Sequence, residues 1–436
     1  MVVLSLAVTD PAEAAQADIS HILSSRLAVG TDEARVQQFD LEWRPEVRWR
    51  FDGGGRLTGM GRARYQPSDG MRTGDLGRGT YSRPSRPTRL GDRLELELRE
   101  LYYERPVGGW YVSVGKQQVV WGKADGLKVL DVVDPQSFRE FILEDFEQSR
   151  IPLWTLDAER PLDGWLGDGW TLQLLWIPDR TYDALPAPGA TYAFRSPRLV
   201  PRAPPGVRVR LNDARRPGPT LAASDAGLRL SRYAGGWDLS FNYLYQYHNQ
   251  PVLRQRFSAS PVPTVEIRPV YRRTHLIGAT FSHASGDWVT RGEIGYFTER
   301  LFLTDAPGDG DGVAASGELD YVLGLDWSGA TDTFISGQLF QSRLSRHRSG
   351  ITRPRLDTNL TLLVRRNFRN ETMTAEVLWI VNTNEGDGLV RPRLAYDLED
   401  NLEVWLGADV FYGDTEGLFG QFRDNDRIML GMKLGL

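Results

Sequence analysis

The chain has 436 residues, a net charge of −5 and no cysteine. Thiolate metal sites, disulfide scaffolds and cysteine nucleophiles are therefore excluded, and the 52 basic and 57 acidic residues are too evenly interspersed for a nucleic-acid surface. Mean hydropathy is −0.39, and no run approaches the ~20 apolar residues of a membrane-spanning helix. A transmembrane β-barrel has the same low average, because every second residue faces a polar lumen.

The chain opens on the short apolar run MVVLSLAV, followed by two A-x-A patterns at Ala12–Ala14 and Ala15–Ala17. No basic residue precedes Arg26, so residues 1–18 are expected to be a truncated signal peptide or a disordered tail. Residues 19–436 are expected to form one barrel domain.

Strict alternation begins at Phe39. Phe39, Leu41, Trp43, Pro45, Val47, Trp49 and Phe51 alternate with Asp40, Glu42, Arg44, Glu46, Arg48, Arg50 and Asp52. One face this apolar and one this charged fit a wall between lipid and lumen. The pattern recurs at Trp237–Tyr247, Leu319–Trp327, Leu402–Val410 and Ile428–Leu436. Eighteen strands are predicted: 19–30, 38–52, 56–66, 92–105, 109–121, 152–161, 168–177, 224–233, 237–247, 269–283, 287–300, 317–328, 332–343, 356–368, 371–382, 388–398, 401–412 and 426–436. The fold class is an all-β, closed antiparallel transmembrane barrel with one inserted helical loop.

Connection lengths alternate as well. Gly53–Gly55, Pro106–Gly108, Gly235–Gly236 and Glu399–Asp400 are tight, whereas 67–91, 122–151, 178–223, 248–268 and 413–425 are long. Short turns on one rim and long loops on the other match an outer-membrane barrel, with the loops outside the cell. Eight prolines in Pro186–Pro219 predict an irregular, mobile loop.

Catalytic signals are weak. The five histidines form no metal or hydrolase motif, and His275 reads as a polar wall residue. Asp305–Gly312 (DAPGDGDG) lacks calcium-loop spacing and reads as a loop tip. No enzyme activity, metal or cofactor is expected.

Parity assigns the lumen wall. It should carry Glu42, Arg44, Glu46, Arg48, Arg50, Arg62, Arg64, Glu95, Glu97, Arg99, Arg291, Glu293, Glu376, Arg391, Arg393, Glu403 and Asp409. Interleaved signs set transverse fields across a pore, or pair on adjacent strands and satisfy one another.

The segment 122–151 interrupts the strands. Asp134-Pro135 has the form of a helix start, an N-cap followed by proline at the first helical position. Phe138, Phe141, Ile142 and Phe146 would follow on one apolar face. Such a helix is too short to cross a bilayer, and its apolar face would be costly to leave in water. The segment is expected to fold into the lumen as a constriction, with Lys123, Asp125, Lys128, Asp131, Arg139, Glu140, Asp145 and Arg150 as pore charges. The alternative is a cap packed on neighbouring loops.

Gly115–Leu127 (GKQQVVWGKADGL), Val129–Gln136 (VLDVVDPQ), Arg139–Ile142 (REFI) and Glu147–Trp154 (EQSRIPLW) resemble the "domain of unknown function 1302" family of proteobacterial outer-membrane proteins. Trp176–Asp179 (WIPD) fits the same family. A looser likeness to alginate-export barrels supports size and class. The resemblance implies a bacterial outer-membrane β-barrel without an established cargo. The chain ends in Leu436, where such barrels usually end in phenylalanine.

The expected function is a monomeric channel passing a small, unidentified solute. Expected partners are outer-membrane lipid, lipopolysaccharide and the barrel-assembly machinery, not nucleic acid. A transporter of hydrophobic compounds or lipids, and a plugged structural or adhesive barrel, are the alternatives.

Overall fold

Alternating apolar and polar side chains can satisfy lipid and water at once only if the sheet closes on itself, and in the computed structural model it does. Residues 16–436 are described, except 33, 69–79, 92, 125, 163, 165–167, 203–204, 219–220, 260 and 307–308. Asp125 and most of the 1–18 tail therefore lie outside the described residues. The wall strands are β1 (Gln16–Gly30), β2 (Val36–Arg50), β3 (Arg56–Tyr65), β4 (Leu94–Val107), β5 (Trp110–Gln117), β6 (Leu153–Pro161), β7 (Trp170–Ile177), β8 (Asp225–Ala234) and β9 (Trp237–Tyr247). They continue as β10 (Arg273–Ser285), β11 (Trp288–Leu303), β12 (Val313–Ala330), β13 (Thr333–Leu344), β14 (Leu356–Phe368), β15 (Met373–Asn382), β16 (Asp387–Glu399), β17 (Leu402–Tyr412) and β18 (Arg427–Gly435). Each strand pairs antiparallel with its chain neighbours, and β1 pairs with β18 to close the 18-stranded barrel.

All eighteen predicted strands are present, with shifted ends. The strand expected from 19 begins at Gln16, inside the segment expected to be a tail. The strand expected to reach 121 stops at Gln117, where the chain leaves the wall. β11 and β12 run further toward the loop rim than alternation alone suggested. On the turn rim, Gly235 and Gly236 have φ of +59° and +80°. Consecutive left-handed residues turn a two-residue hairpin with the twist of its strands.

The loops hold structure that polarity and proline content concealed. Thr88–Leu90 adds a short strand beside β4. Val252–Ser258, Thr264–Val270 and Arg208–Leu211 form a separate three-stranded sheet above the wall. Proline restricts these loops without preventing short pairings between them.

The outer face carries Leu41, Trp43, Trp49, Phe241, Trp288, Leu323, Trp379 and Leu406, all exposed as a lipid-facing wall requires. Aromatic pairs mark its turn-side border: Trp237 stacks on His283 at 4.4 Å, and Trp288 meets Trp327 at 6.2 Å. His275 belongs to this outer face. Its Nδ1 lies 2.8 Å from the Tyr243 hydroxyl, between buried Thr274 and Leu276.

The inner face divides into two halves. From β2 to β4 and from β16 to β18 it is charged, with buried Asp40, Arg64, Glu97, Arg99, Asp409 and Arg427. From β7 to β13 it carries buried Leu175, Ile177, Leu244, Leu276, Phe297, Val322 and Phe340. The charged half follows the predicted lumen pattern. The apolar half keeps it at Arg291 and Glu293, while its apolar members depart from it because they pack on protein and not on water.

Candidate functional site

What covers the apolar half is the segment between β5 and β6. Val119, Trp121, Val129, Leu130 and Val133 join the wall residues in one buried cluster. The wall is shaped to receive them. A Cβ on Gly227 would sit 2.8 Å from the Trp121 ring, and one on Gly278 would sit 2.7 Å from Leu130. Glycine at these inward positions opens sockets in the wall for the two side chains. The Trp121 indole N–H also donates to Gln173 at 2.9 Å.

The backbone of the segment is held by carboxylates. Glu293 on β11 accepts the N–H groups of Lys123, Ala124 (2.7 Å) and Leu130 (2.9 Å). Arg291 donates to the Lys123 carbonyl at 2.8 Å and pairs with Asp326 at 3.0 Å. Asp134 accepts the Val119 N–H at 2.7 Å, and burial raises its carboxyl well above the usual range.

The expected helix after Asp134 is absent. Only Phe146–Ser149 makes an α-helical turn, and Asp145 precedes it as N-cap residue. The reason lies in competing partners. Gln136 N–H donates to Asp183 at 2.7 Å, Ser137 N–H to the Ser149 carbonyl at 2.7 Å and Phe138 N–H to the Ala184 carbonyl at 2.8 Å. Phe141 has a φ of +57°, a left-handed conformation that no helix accommodates. The apolar stripe separates accordingly. Phe141 packs with Tyr192, Phe411, Phe419 and Phe422, and Ile142 lies against the same cluster. Phe138 meets Phe194 at 6.4 Å, and Phe146 lies under Lys128 at 4.3 Å. Burial raises the Asp183 carboxyl to about 7, against the hydrogen bond from Gln136.

The charged half holds the other side of the segment. Glu140 is fully buried and accepts from Arg26, from Gln38 (2.7 Å) and from Arg427 (3.2 Å). Arg427 also donates to Asp409 at 2.7 Å. Burial pushes the Glu140 carboxyl up, but the Arg26 and Arg427 guanidiniums outweigh it and hold it well below the usual carboxylate range. Arg64 bridges Glu42 (3.0 Å) and Glu144 (3.1 Å), Arg391 donates to the Leu143 carbonyl (2.9 Å) and Asp409 (2.8 Å), and Arg99 donates to the Glu147 carbonyl (3.0 Å).

The remaining predicted charges divide by partner. Asp131, Lys128 and Arg150 satisfy one another within the segment, with Arg150 on Asp131 at 2.8 Å and Lys128 at 3.3 Å. Lys123 pairs with Asp238, Arg139 lies 4.0 Å from Asp40, and Asp145 is exposed. Along the wall, Arg44 pairs with Glu42, Arg48 with Glu46, Arg62 with Glu97, Glu95 with Arg89, and Arg393 with Glu403.

Two cavities flank the segment. One, of about 450 Å³ on the turn side, sets Arg44, Arg64, Arg391 and Arg393 against Glu42, Glu144, Asp145 and Glu403, with Trp405 beside them. The other, of about 340 Å³ on the loop side, joins Phe138, Phe194, Phe302 and Phe340 to Arg198, Arg300 and Arg353 and to Glu318, Asp320 and Asp357. Sequence reasoning missed Asp183, Tyr192, Phe419 and Phe422, which fix the segment from other loops. The inward glycines at 227, 278 and 295 are the one sequence signal that marks where the segment docks.

Solved structures that resemble this barrel share its fold at low identity. The Pseudomonas aeruginosa OpdK structure with vanillate matches with a TM-score of 0.52 and 10% identity, covering 96% of this chain and 98% of that one. Acinetobacter baumannii OccAB1 gives a TM-score of 0.51 and 6% identity over 97% and 96% of the two chains. A BenF-like porin from Pseudomonas fluorescens Pf-5 gives 0.50 and 10% over 97% and 98%. The fold is therefore that of a porin-like barrel. Among the curated proteins none matches the chain. A family model described as "Protein of unknown function (DUF1302)" matches residues 38–351, and the chain belongs to that family.

Proposed function

We propose that the protein is an outer-membrane channel for small solutes, with no catalytic step, whose lumen is narrowed by residues 122–151. The carrying observation is that one segment bonds to inward residues on both sides of the barrel, Glu293 on β11 and Arg26 and Arg427 on β1 and β18. A chain tied to opposite walls crosses the space between them. Water-sized room then remains beside it, chiefly along the charged half, where guanidiniums and carboxylates face each other. Such a field orients dipolar solutes and gives weak preference between ion signs. Loops outside the cell and tight turns in the periplasm give the orientation, and a monomer suffices for the path.

Planar-bilayer conductance tests the reading. Deleting Asp134–Gln148 should raise single-channel conductance severalfold while preserving heat-modifiable migration. Equal conductance in both forms would remove the constriction, and silence in both would remove the open channel. The aromatic lining of the loop-side cavity favours a second reading, passage of amphipathic solutes. Block of current by a phenyl-bearing carboxylate, but not by acetate, would support it.

A further inference from the structure

The three-stranded loop sheet has two unlike faces. Register sets Arg254 opposite Arg268, Glu266 between Arg256 and Arg210, and Thr264 opposite Arg208. These residues share one face, and all five arginines are exposed. The other face buries Leu253, Val265 and Ile267 against Leu303 and Val313. On β12, Val313 has the parity of Leu323 and Leu325, which are exposed on the outer wall. Leu303 is its partner on β11. The sheet is thus layered on the outward side of the β11–β12 hairpin at the loop rim, with Leu253 and Leu303 also bordering the loop-side cavity, and its arginine face points away from that cavity. Val313 is six residues beyond Leu319, so the patch stands ~15 Å above the upper edge of the apolar belt, for ~3.3 Å per residue and a tilt near 40°.

Like charges placed directly opposite on a sheet repel, and Arg254 faces Arg268. Arg254 pairs with Asp311 at 3.1 Å. Among the described residues, Arg208, Arg210, Arg256 and Arg268 have no ion-pair partner. Planar guanidiniums at strand spacing match phosphate oxygens in bidentate fashion. We propose that this face is a binding site for the phosphorylated sugar headgroup of lipopolysaccharide in the outer leaflet. Its height and outward aim meet a headgroup that rises around the loops, not a solute entering the lumen. The proposal rests on the outer-membrane placement given above.

The test compares the full chain with a variant carrying Arg208→Ser, Arg210→Ser, Arg256→Ser and Arg268→Ser. Both are purified in neutral detergent and mixed with lipopolysaccharide or its dephosphorylated form, and bound molecules are counted by native mass spectrometry. The wild type should bind the phosphorylated form roughly tenfold or more tightly than the variant does, since each basic side chain near an anionic surface adds attraction. It should bind the dephosphorylated form as weakly as the variant. Equal binding by a variant that still shows heat-modifiable migration overturns the site. So does full displacement by millimolar inorganic phosphate, which would mark a site for small anions. A wild-type chain absent from the outer-membrane fraction overturns the placement, and the site with it.

Discussion

The two halves of the inner wall hold the same segment by different physics. On the β7–β13 side, Trp121 and Leu130 fill glycine-lined sockets, and stabilisation comes from buried apolar area and close packing. On the β1 and β16–β18 side, Glu140, Arg427 and Asp409 are stripped of water and replace its hydrogen bonds through one another and through Arg26, Gln38 and Arg391. Packing leaves no room around Trp121 and Leu130, whereas paired charges border the larger of the two cavities. The proposed route for solute therefore follows the charged half, and the apolar half serves as the fixed side of the constriction.

The sharpest way to break this contrast is Glu140→Ala. It would leave Arg427 buried beside one lost partner, with a cost of about 3–5 kcal/mol. Trypsin should then cut the folded barrel after Arg139, next to the lost anchor, and an intact segment would refute the charged anchor. Leu130→Ala attacks the opposite half, and a fully buried leucine lost to a cavity costs about 2–5 kcal/mol. The expected loosening is near Glu293, measurable as faster hydrogen exchange at residues 123–130. Glu293→Gln keeps the shape but weakens three backbone hydrogen bonds, for about 1–3 kcal/mol. Its melting temperature should fall less than that of Leu130→Ala.

Acid should separate the two anchors by sign. Glu140 has a depressed pKa, so its contribution is present above the ordinary carboxylate range and is lost as pH falls through its folded value. Asp183, raised to about 7, is protonated in the fold while ionised in the unfolded chain between about 4 and 7. Its contribution therefore falls as pH rises across that window. Lowering pH from 7 to 4 should stabilise the fold at Asp183, because the neutral carboxyl suits its buried site even though it accepts less strongly from Gln136, and only stronger acid should free the Glu140 side. Protease protection of the segment across pH checks both. The smallest effect belongs to Arg393→Ala, which removes a half-exposed pair with Glu403 worth at most about 1 kcal/mol. It should shift ion preference in conductance without moving the melting temperature.

Much of this contrast was hidden in the sequence. The charged half was legible, because Glu42, Arg64, Arg391 and Asp409 alternate with lipid-facing residues. The apolar half was not. Leu244, Leu276 and Phe297 sit at lumen parity, where alternation predicts polar residues, and only the covering segment makes them stable there. Phe138, Phe141, Ile142 and Phe146 had helical spacing, yet the N–H groups of Gln136, Ser137 and Phe138 are taken by Asp183, Ser149 and Ala184, partners that local spacing cannot register.

By itself the sequence determined the strand number, the inward and outward faces, and the rims of short turns and long loops. Each of these depends on a period of two residues or on loop length, both local properties. Tertiary structure alone decided the path of residues 118–152, the opening of Phe141 into left-handed backbone and the layering of the arginine sheet outside the wall. Those depend on buried hydrogen-bond donors finding acceptors far along the chain, such as Glu293, 170 residues from Lys123, and Glu140, 287 residues from Arg427.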